Sequence, residues 1–275
     1  MAKTQPDQPG ESTQFGRTLR HWRKVRRMSQ LELALEADIS TRHLSFIETG
    51  RAKPSREMVL RLSTALGLRL RQRNALLLAA EYRAEYPLSD LDHPKMAGVR
   101  SALEFILKSH EPFPAFVMDR QFTILMANSS MRNIFSLMLE PGVLEKYPNA
   151  YHLMFAEDGL YHNVTNWPEV ASALLVRLYD ELLLSQDELL QSLLDEILTY
   201  PNVPPDWQLR ATQVEDEPIL KFNTERDGKT LSFFATLTKF STPYDVTLQE
   251  LIVESLFPAD ETTRLLFRQS FDYTL

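Results

Sequence analysis

The chain of 275 residues contains no cysteine, and it has only 8 glycines. The absence of cysteine excludes disulfides, thiolate metal sites, cysteine nucleophiles and the cysteinyl adduct of flavin photosensors. We find no glycine-rich phosphate loop and no nucleophile elbow. The histidines His110, His152 and His162 do not have the spacing of metal ligands. We therefore expect no enzyme, no catalytic residue, no metal and no resident cofactor.

Long apolar runs are also missing. The sequence has no stretch of about 18 or more apolar residues, which a membrane-spanning helix would need. The first ten residues are polar and contain proline and glutamine, so they do not resemble a secretory signal. We expect a cytoplasmic protein with no membrane partner.

Negative charge is scarce in the first third of the chain. Residues 1–86 hold 16 Lys and Arg against 9 Asp and Glu, a net charge of +7. Residues 87–275 hold 14 against 28, a net charge of −14. Clustered cations attract double-stranded DNA because they release its condensed counterions. We therefore expect contact with double-stranded DNA to be confined to the N-terminal part.

The segment from residue 15 to residue 66 predicts several short helices around a tight helix-turn-helix. Ser29 followed by Glu32 is typical of a capping box, and Ser40 is expected to cap the next helix. Gly50 can take a positive φ and end that helix. Apolar residues at helical spacing should form the core of this segment: Leu33, Ala34, Ala37, Ile39, Leu44, Ile47, Leu60, Leu62 and Leu66.

This segment resembles the XRE family of helix-turn-helix regulators, the fold of the phage lambda and 434 repressors. The resemblance is carried by Ser29-Gln30, by residues 40–48 and by the loop at 50–55. It implies a homodimer that binds specific DNA sequences, with a partly buried ion pair between Arg23 and Glu48. The DNA-binding residues that it implies are Gln30, Ser40, Thr41, Arg42, His43, Ser45, Phe46, Arg51 and Lys53.

Within that set the resemblance implies separate roles. Thr41, Arg42 and Phe46 occupy the base-reading positions, whereas Gln30, Arg51 and Lys53 would contact phosphates. Arg42 could bind guanine through two hydrogen bonds. Phe46 departs from the polar residue of the best-known repressors, so it could contact a thymine methyl group or instead be buried.

The domain organisation follows from composition. We expect residues 1–12 to be a disordered N-terminus, 13–86 to be the DNA-binding domain and 95–275 to be the C-terminal domain. Prolines and acids at 87–94 predict an extended linker. A helix rich in Leu and Ala is expected before it, and it could pack either within the bundle or against a second copy.

Residues 95–275 predict an α+β domain with an antiparallel sheet. The predicted order of elements is two short strands, several helices and three further strands, which is the order of a PAS-type domain. The expected strands are 115–118, 122–126, 221–224, 231–240 and 248–256, and Asp227-Gly228 predicts a hairpin turn. The expected helices are 96–110, one capped by Asn128 that runs to 139, and a long helical region from 168 to 200.

This part resembles the MmyB-type ligand-binding domain that follows XRE heads in bacterial regulators. The likeness covers most of residues 95–268 and is carried by 116–120, Ala127-Asn128, Trp167, 242–251 and 257–260. It implies a PAS-like domain that senses a small apolar ligand, with fatty acids as the ligand class. We therefore predict a transcription regulator whose DNA binding is modulated by a bound fatty acid or similar apolar molecule.

Methionine and aromatic residues of the C-terminal domain are the candidate ligand contacts. Flexible thioethers suit a cavity that adapts to its ligand, although the same pattern is typical of an ordinary core. The candidates are Phe116, Met118, Met126, Asn128, Met131, Phe135, Tyr151, Phe155 and Trp167. Asn128, Tyr151, His152 and Arg210 could anchor a carboxylate or a carbonyl.

Two other functions of the C-terminal domain stay open at this stage. It could be only a dimerisation or protein-interaction module. It could also carry haem or a flavin, or be a small enzyme.

Overall fold

The computed structural model describes residues 13–210, 219–226 and 229–270, so the segment 1–12, expected to be disordered, lies outside it. The chain forms two units. The first holds residues up to Asp90 together with Ser241–Gln249, and the second holds Leu91–Phe240 and the chain from Glu250 onward.

Side-chain caps set the helix starts of the first unit. Ser29 and Glu32 form the expected capping box, since each side chain accepts a hydrogen bond from the other residue's backbone N–H. Ser40 caps the next helix, and Gly50 follows its end with φ of 77°. The helices are α1 (Gln14–Val25), α2 (Gln30–Glu36), α3 (Thr41–Glu48), α4 (Arg56–Ala65) and α5 (Leu70–Ala79).

The expected core of the first unit is largely confirmed. Ile39 and Leu60 are only partly buried, while the other predicted positions are buried together with Phe15 and Trp22 of α1. In the Leu- and Ala-rich helix α5, Leu76 and Leu77 face this core, whereas Leu78 is exposed. The buried members of the predicted set are Leu33, Ala34, Ala37, Leu44, Ile47, Leu62 and Leu66.

A buried ion pair joins α1 to α3. Arg23 Nε and Nη2 donate hydrogen bonds to the two carboxylate oxygens of Glu48 at 2.6 and 2.9 Å. Gln30 Nε2 donates to the same carboxylate at 2.9 Å, and the Glu48 side chain is fully buried. Burial by itself raises the pKa of Glu48, but the hydrogen bonds from Arg23 and Gln30 outweigh it and hold that pKa below its usual range.

Gly16 allows α1 to approach the end of α3 closely. A Cβ atom at this position would lie only 2.5 Å from the backbone oxygen of Glu48. That separation is far inside van der Waals contact, so any side chain here would push α1 away from the end of α3 and disturb the ion pair.

The second unit is an α+β domain, as expected. Its antiparallel sheet has five strands in the order β2-β1-β5-β4-β3, so the last strand in the sequence lies at the centre. Phe116 and Leu237 flank Glu254 of this central strand in register. The strands are β1 (Ala115–Met118), β2 (Ile124–Ala127), β3 (Phe222–Arg226), β4 (Lys229–Thr238) and β5 (Ile252–Pro258).

Most helices of the second unit lie in sequence between β2 and β3. Asn128 caps α7 as expected, because its side chain accepts a hydrogen bond from the Met131 N–H. The helices of this unit are α6 (Ala97–Ser109), α7 (Ser129–Met138), α8 (Val143–Lys146), α9 (Ala150–Phe155), α10 (Trp167–Ser185), α11 (Glu188–Ile197), α12 (Trp207–Arg210) and α14 (Glu261–Ser270), while α13 (Val246–Glu250) begins in the segment 241–249 of the first unit.

Local backbone geometry changes three of the expected elements. Phe122 has φ of 64° and lies in the turn, so β2 begins only at Ile124. Gln186 has φ of 52° and divides the long helical region into α10 and α11. Leu248 lies in α13, and β5 therefore starts at Ile252. The predicted turn residues Asp227-Gly228 lie outside the described residues.

The segment 241–249, between β4 and β5, packs in the first unit. Gln249 Oε1 accepts a hydrogen bond from the N–H of Leu70 at 2.7 Å, and Val246 N–H donates to Pro87 O at 2.8 Å. Val246 is also buried. Its position in the sequence predicts that this segment belongs to the C-terminal domain, but position in the chain carries no information on where a connection packs.

Removing either Arg23 or Glu48 alone should lower the free energy of unfolding of the first unit by up to about 3 kcal/mol, because the charge that remains is buried and has lost its main partner. The double variant R23L/E48L should lose less than the sum of R23L and E48L. Native-state hydrogen exchange of the amides in α1 and α3 measures this locally in the full chain.

The control is R61L, which removes an exposed pair with Glu57 in α4 and should change stability by about 0.5 kcal/mol or less. Additive losses in the double variant would contradict the pairing. Since the folded pKa of Glu48 lies below its unfolded value of about 4.3, its contribution is present at neutral pH. It should fade as the pH falls below about 4, and E48Q should lack this acid-dependent loss.

Candidate functional site

The exposed face of α3 is the candidate nucleic-acid interface. Leu44 and Ile47 bury the opposite face of this helix in the core. Arg42 and His43 are exposed, while the remaining candidates on the helix, Thr41, Ser45 and Phe46, are half-buried. Ser40 stands at the start of the helix, where its hydroxyl accepts a hydrogen bond from the His43 N–H.

Arg42 and Phe46 form a pair one turn apart on this face. The guanidinium carbon of Arg42 lies 5.3 Å from the centroid of the Phe46 ring, within the range of a cation–π interaction. The backbone oxygen of Phe46 accepts hydrogen bonds from the N–H groups of Arg51 and Ala52, which folds the following loop back against α3. Arg51 is exposed in that loop, close in sequence and in space to the helix end.

Two of the implied phosphate contacts are bound to carboxylates in the structure. Gln30 donates to the buried Glu48, so its amide is fixed by the ion pair that holds α3. Lys53 Nζ lies 2.5 Å from Glu81 Oε2, and both side chains are largely exposed. An exposed pair of this kind contributes little to stability, so a phosphate can compete for the lysine.

The second unit contains a cavity of about 230 Å³ between one face of its sheet and the helices α7, α9 and α10. This volume lies just below the range of about 300 to 1,000 Å³ that is typical of small-molecule sites. Alternate residues of a strand share a face, which brings inward-pointing side chains of all five strands to the cavity. Its apolar lining includes Phe116, Ile124, Met131, Ile134, Phe135, Met138, Leu153, Met154, Leu160, Val170, Leu174, Leu220, Phe222, Phe233, Ala235 and Leu256.

A polar cluster lies on the wall of this cavity. Arg177 Nη1 donates to Glu254 Oε2 at 3.0 Å, and Arg177 Nε donates to the hydroxyl of Tyr151 at 3.3 Å. That hydroxyl donates in turn to the backbone oxygen of Leu174. Burial raises the pKa of Tyr151. Burial alone lowers the pKa of Arg177, but Tyr151 and Glu254 raise it above its usual value, so the guanidinium stays charged.

The cavity brings together Phe116, Met131, Phe135 and Tyr151 of the residues considered from the sequence as ligand contacts. Met118 and Phe155 are fully buried in the core instead. Met126 lines a separate open groove beside α6.

Asn128 and Trp167 have structural partners. The Asn128 side chain accepts from the N–H of Ala115 and donates to the backbone oxygen of Phe113 at 2.7 Å, which ties β1 to the start of α7. Trp167 Nε1 donates to the backbone oxygen of Asn202 at 2.7 Å.

The two remaining anchor candidates lie next to carboxylates. His152 Nε2 lies 3.4 Å from Glu196. Arg210 pairs with Asp206 and Glu169. Neither residue lines the cavity.

Arg177, Glu254 and Thr224 line the cavity but were not among the candidates. A weak signal for two of them exists in the sequence. Arg177 interrupts an apolar stretch of α10, and Glu254 stands between apolar residues in the central strand. Charges at such positions are unusual unless they are paired, but only the tertiary structure shows that these two meet.

Within the described part of the chain, no helix is long and apolar enough to cross a membrane. Among the same residues, no group of three His, Cys, Asp or Glu side chains could hold a metal ion.

Comparison with solved structures finds partial likenesses. The restriction-modification controller protein C.AhdI from Aeromonas hydrophila is 30% identical over 22% of this chain and 92% of its own, with a TM-score of 0.22. The clp gene regulator ClgR from C. glutamicum is 28% identical over 27% and 92%, with a TM-score of 0.23. An RNA-binding light-oxygen-voltage receptor is 13% identical over 92% and 60%, with a TM-score of 0.30. No curated protein matches the chain.

Two family models decide the relationship. The model described as MmyB-like transcription regulator ligand binding domain matches residues 99–269, more than half of the chain, and a helix-turn-helix model matches residues 19–72. These are families of transcription regulators rather than of enzymes. The chain belongs to the MmyB-like transcription regulators and combines an XRE-type helix-turn-helix that binds DNA with an MmyB-like ligand-binding domain.

Proposed function

We propose that this regulator binds DNA as a two-fold dimer and that a small apolar molecule in the second unit modulates its affinity for DNA. The observation that carries the proposal is the apolar cavity with one buried polar cluster around Arg177. Concave apolar sites with a few convergent polar groups are the usual form of small-molecule sites. The ligand we propose is elongated and fatty-acid-like, with its polar end at Arg177 and Tyr151.

On the DNA side, Arg42 reads a guanine in the major groove while Phe46 contacts a thymine methyl group. Stacking on Phe46 restricts the Arg42 guanidinium before DNA arrives, which reduces the entropy lost on binding. Arg51 and Lys53 contact phosphates beside these bases. The other DNA-binding residues implied by the family resemblance support the contact between α3 and DNA. Phosphate contacts supply affinity, whereas the α3 contacts supply specificity.

Dimerisation follows from the small size of one head. A single helix-turn-helix buries little DNA surface, and a two-fold dimer doubles the contact on inverted half-sites. The exposed side chain of Leu78 on α5, an apolar group that the core of the first unit leaves uncovered, supports this proposal.

The connection between β4 and β5 is the proposed link between ligand and DNA binding. Phe233 and Ala235 of β4 and Glu254 of β5 line the cavity, and the segment 241–249 between these strands is held in the first unit. A ligand that shifts these strands therefore acts on a segment bonded to α5 through Gln249. Such a ligand changes DNA affinity only if it favours one arrangement over another.

The first prediction concerns base reading. R42A should cost about 1 to 3 kcal/mol on the cognate site and relax the preference at one base, because a bidentate contact is lost. R42K keeps the charge without the planar fork and should lose most of that preference. K53A should weaken binding to all sequences about equally. Gel-shift titrations on matched and mismatched sites measure this, and equal losses of R42A on both would refute base reading.

The second prediction concerns symmetry. Footprinting should show two inverted half-sites whose centres lie about one helical turn apart, and sedimentation should show a dimer. A single unrepeated half-site protected by a monomer is the contrary outcome.

The third prediction concerns the ligand. Fatty acids of graded length should stabilise the full chain, and one present at about 100 times its dissociation constant should add about 2.7 kcal/mol. A235F should abolish the shift by filling the cavity, whereas L137F on the exposed side of α7 should leave it unchanged. Thermal melts measure both variants. If no acid shifts the melt and organic extraction yields no lipid, the domain is better explained as a dimerisation module.

The fourth prediction concerns coupling. Q249L removes the acceptor for the Leu70 N–H and should leave ligand affinity intact while the ligand loses most of its effect on DNA affinity. Y244A, which truncates an exposed side chain of the same segment, should keep that effect. DNA affinity is measured with and without ligand, and hydrogen exchange of α5 verifies that the first unit stays folded. An unchanged ligand effect in Q249L would argue for another route.

A further inference from the structure

Thr224 has a buried hydroxyl on the wall of the cavity, and no described residue forms a hydrogen bond with it. The residue is fully buried in β3, and its Oγ1 finds no partner among residues 13–210, 219–226 and 229–270. Its side chain lines the cavity beside Phe222. A buried hydroxyl that is left unpaired costs free energy, and such groups are rare in folded proteins.

The other polar groups of this region are paired. Asn223, whose side chain points to the opposite face of β3, accepts a hydrogen bond from Ser232 Oγ at 2.6 Å. Its backbone N–H and C=O bond to Asn166 and Thr165. The unpaired atom is therefore specific to the side chain that faces the cavity.

Thr224 lies far from the polar cluster around Arg177. Thr224 is opposite Leu231 on β4, while Glu254, the partner of Arg177, is opposite Leu237. These two β4 positions are six residues apart, which corresponds to about 20 Å along an extended strand. The two ends of the cavity thus present hydrogen-bonding groups with apolar side chains between them.

We infer that the ligand is an oxygenated acyl compound, with a second hydroxyl or carbonyl group near its far end that bonds to Thr224. This inference rests on the proposed function, in which the first polar end meets Arg177 and Tyr151. A threonine hydroxyl both donates and accepts, so it suits either group. A plain hydrocarbon tail would leave Oγ1 unpaired, and the site would then favour the oxygenated chain over the plain one.

The experiment compares ω-hydroxy fatty acids with plain fatty acids of the same length, over a series of lengths, on the delipidated full chain. Calorimetric titration gives the dissociation constants. At the length that places the hydroxyl at Thr224, the wild-type protein should bind the ω-hydroxy acid roughly five- to tenfold more tightly, as one added hydrogen bond provides.

Two variants separate the hydroxyl from the shape of the site. T224V replaces the hydroxyl with a methyl group and should lose the preference while it binds the plain acid at least as well. T224S keeps the hydroxyl and should keep the preference. A melt of each variant without ligand verifies the fold. If T224V does not fold, T224A also removes the hydroxyl and should lose the preference.

The outcomes distinguish this inference from the proposed function. If plain acids bind but no ω-hydroxy acid binds better at any length, the inference is overturned and the sensor function stands. A preference that survives in T224V also overturns it. If no acid of either series binds, both the inference and the proposed ligand class fail.

Discussion

The buried carboxylate of Glu48 is the constraint on which the DNA-binding head depends. A charge without solvent is costly, and here it is stabilised by two hydrogen bonds from Arg23 and one from Gln30. Because these partners come from α1 and α2, the requirement to pair one charge fixes three helices. The exposed face of α3, with Arg42 and Phe46, is thereby presented as a rigid surface.

The same requirement shapes the cavity of the second unit. Glu254 stands on the central strand and is paired by Arg177 of α10, which also touches Tyr151. Moving α10 away from the sheet would break that pair and leave a buried charge, which is costly. The pair therefore holds α10 against the sheet beside the cavity, where apolar side chains do not fill the space. The cavity is therefore maintained by a polar contact at one end. Thr224 at the far end has no comparable contact within the described residues, which makes it the place where a ligand has most to contribute.

The cavity and the DNA-binding head are linked by a chain segment, although the residues of that segment are far from the head in the sequence. The segment 241–249 leaves the sheet at β4 and returns to it at β5, yet it packs in the first unit, where Gln249 accepts a hydrogen bond from the backbone of α5. In the proposed function this connection is the physical element that both the ligand and the DNA bias, which is what coupling between sites requires.

Local interactions let the sequence determine much of this protein by itself. Ser29 with Glu32 and Gly50 marked helix ends, because caps and positive φ depend on neighbouring residues only. The motifs identified both families, and the order of strands and helices indicated the α+β sheet. Tertiary structure alone decided which inward residues surround a cavity rather than fill a core, and that Arg177 meets Glu254. Such pairings join residues far apart in the chain, so their geometry depends on strand register and helix packing that no local pattern encodes.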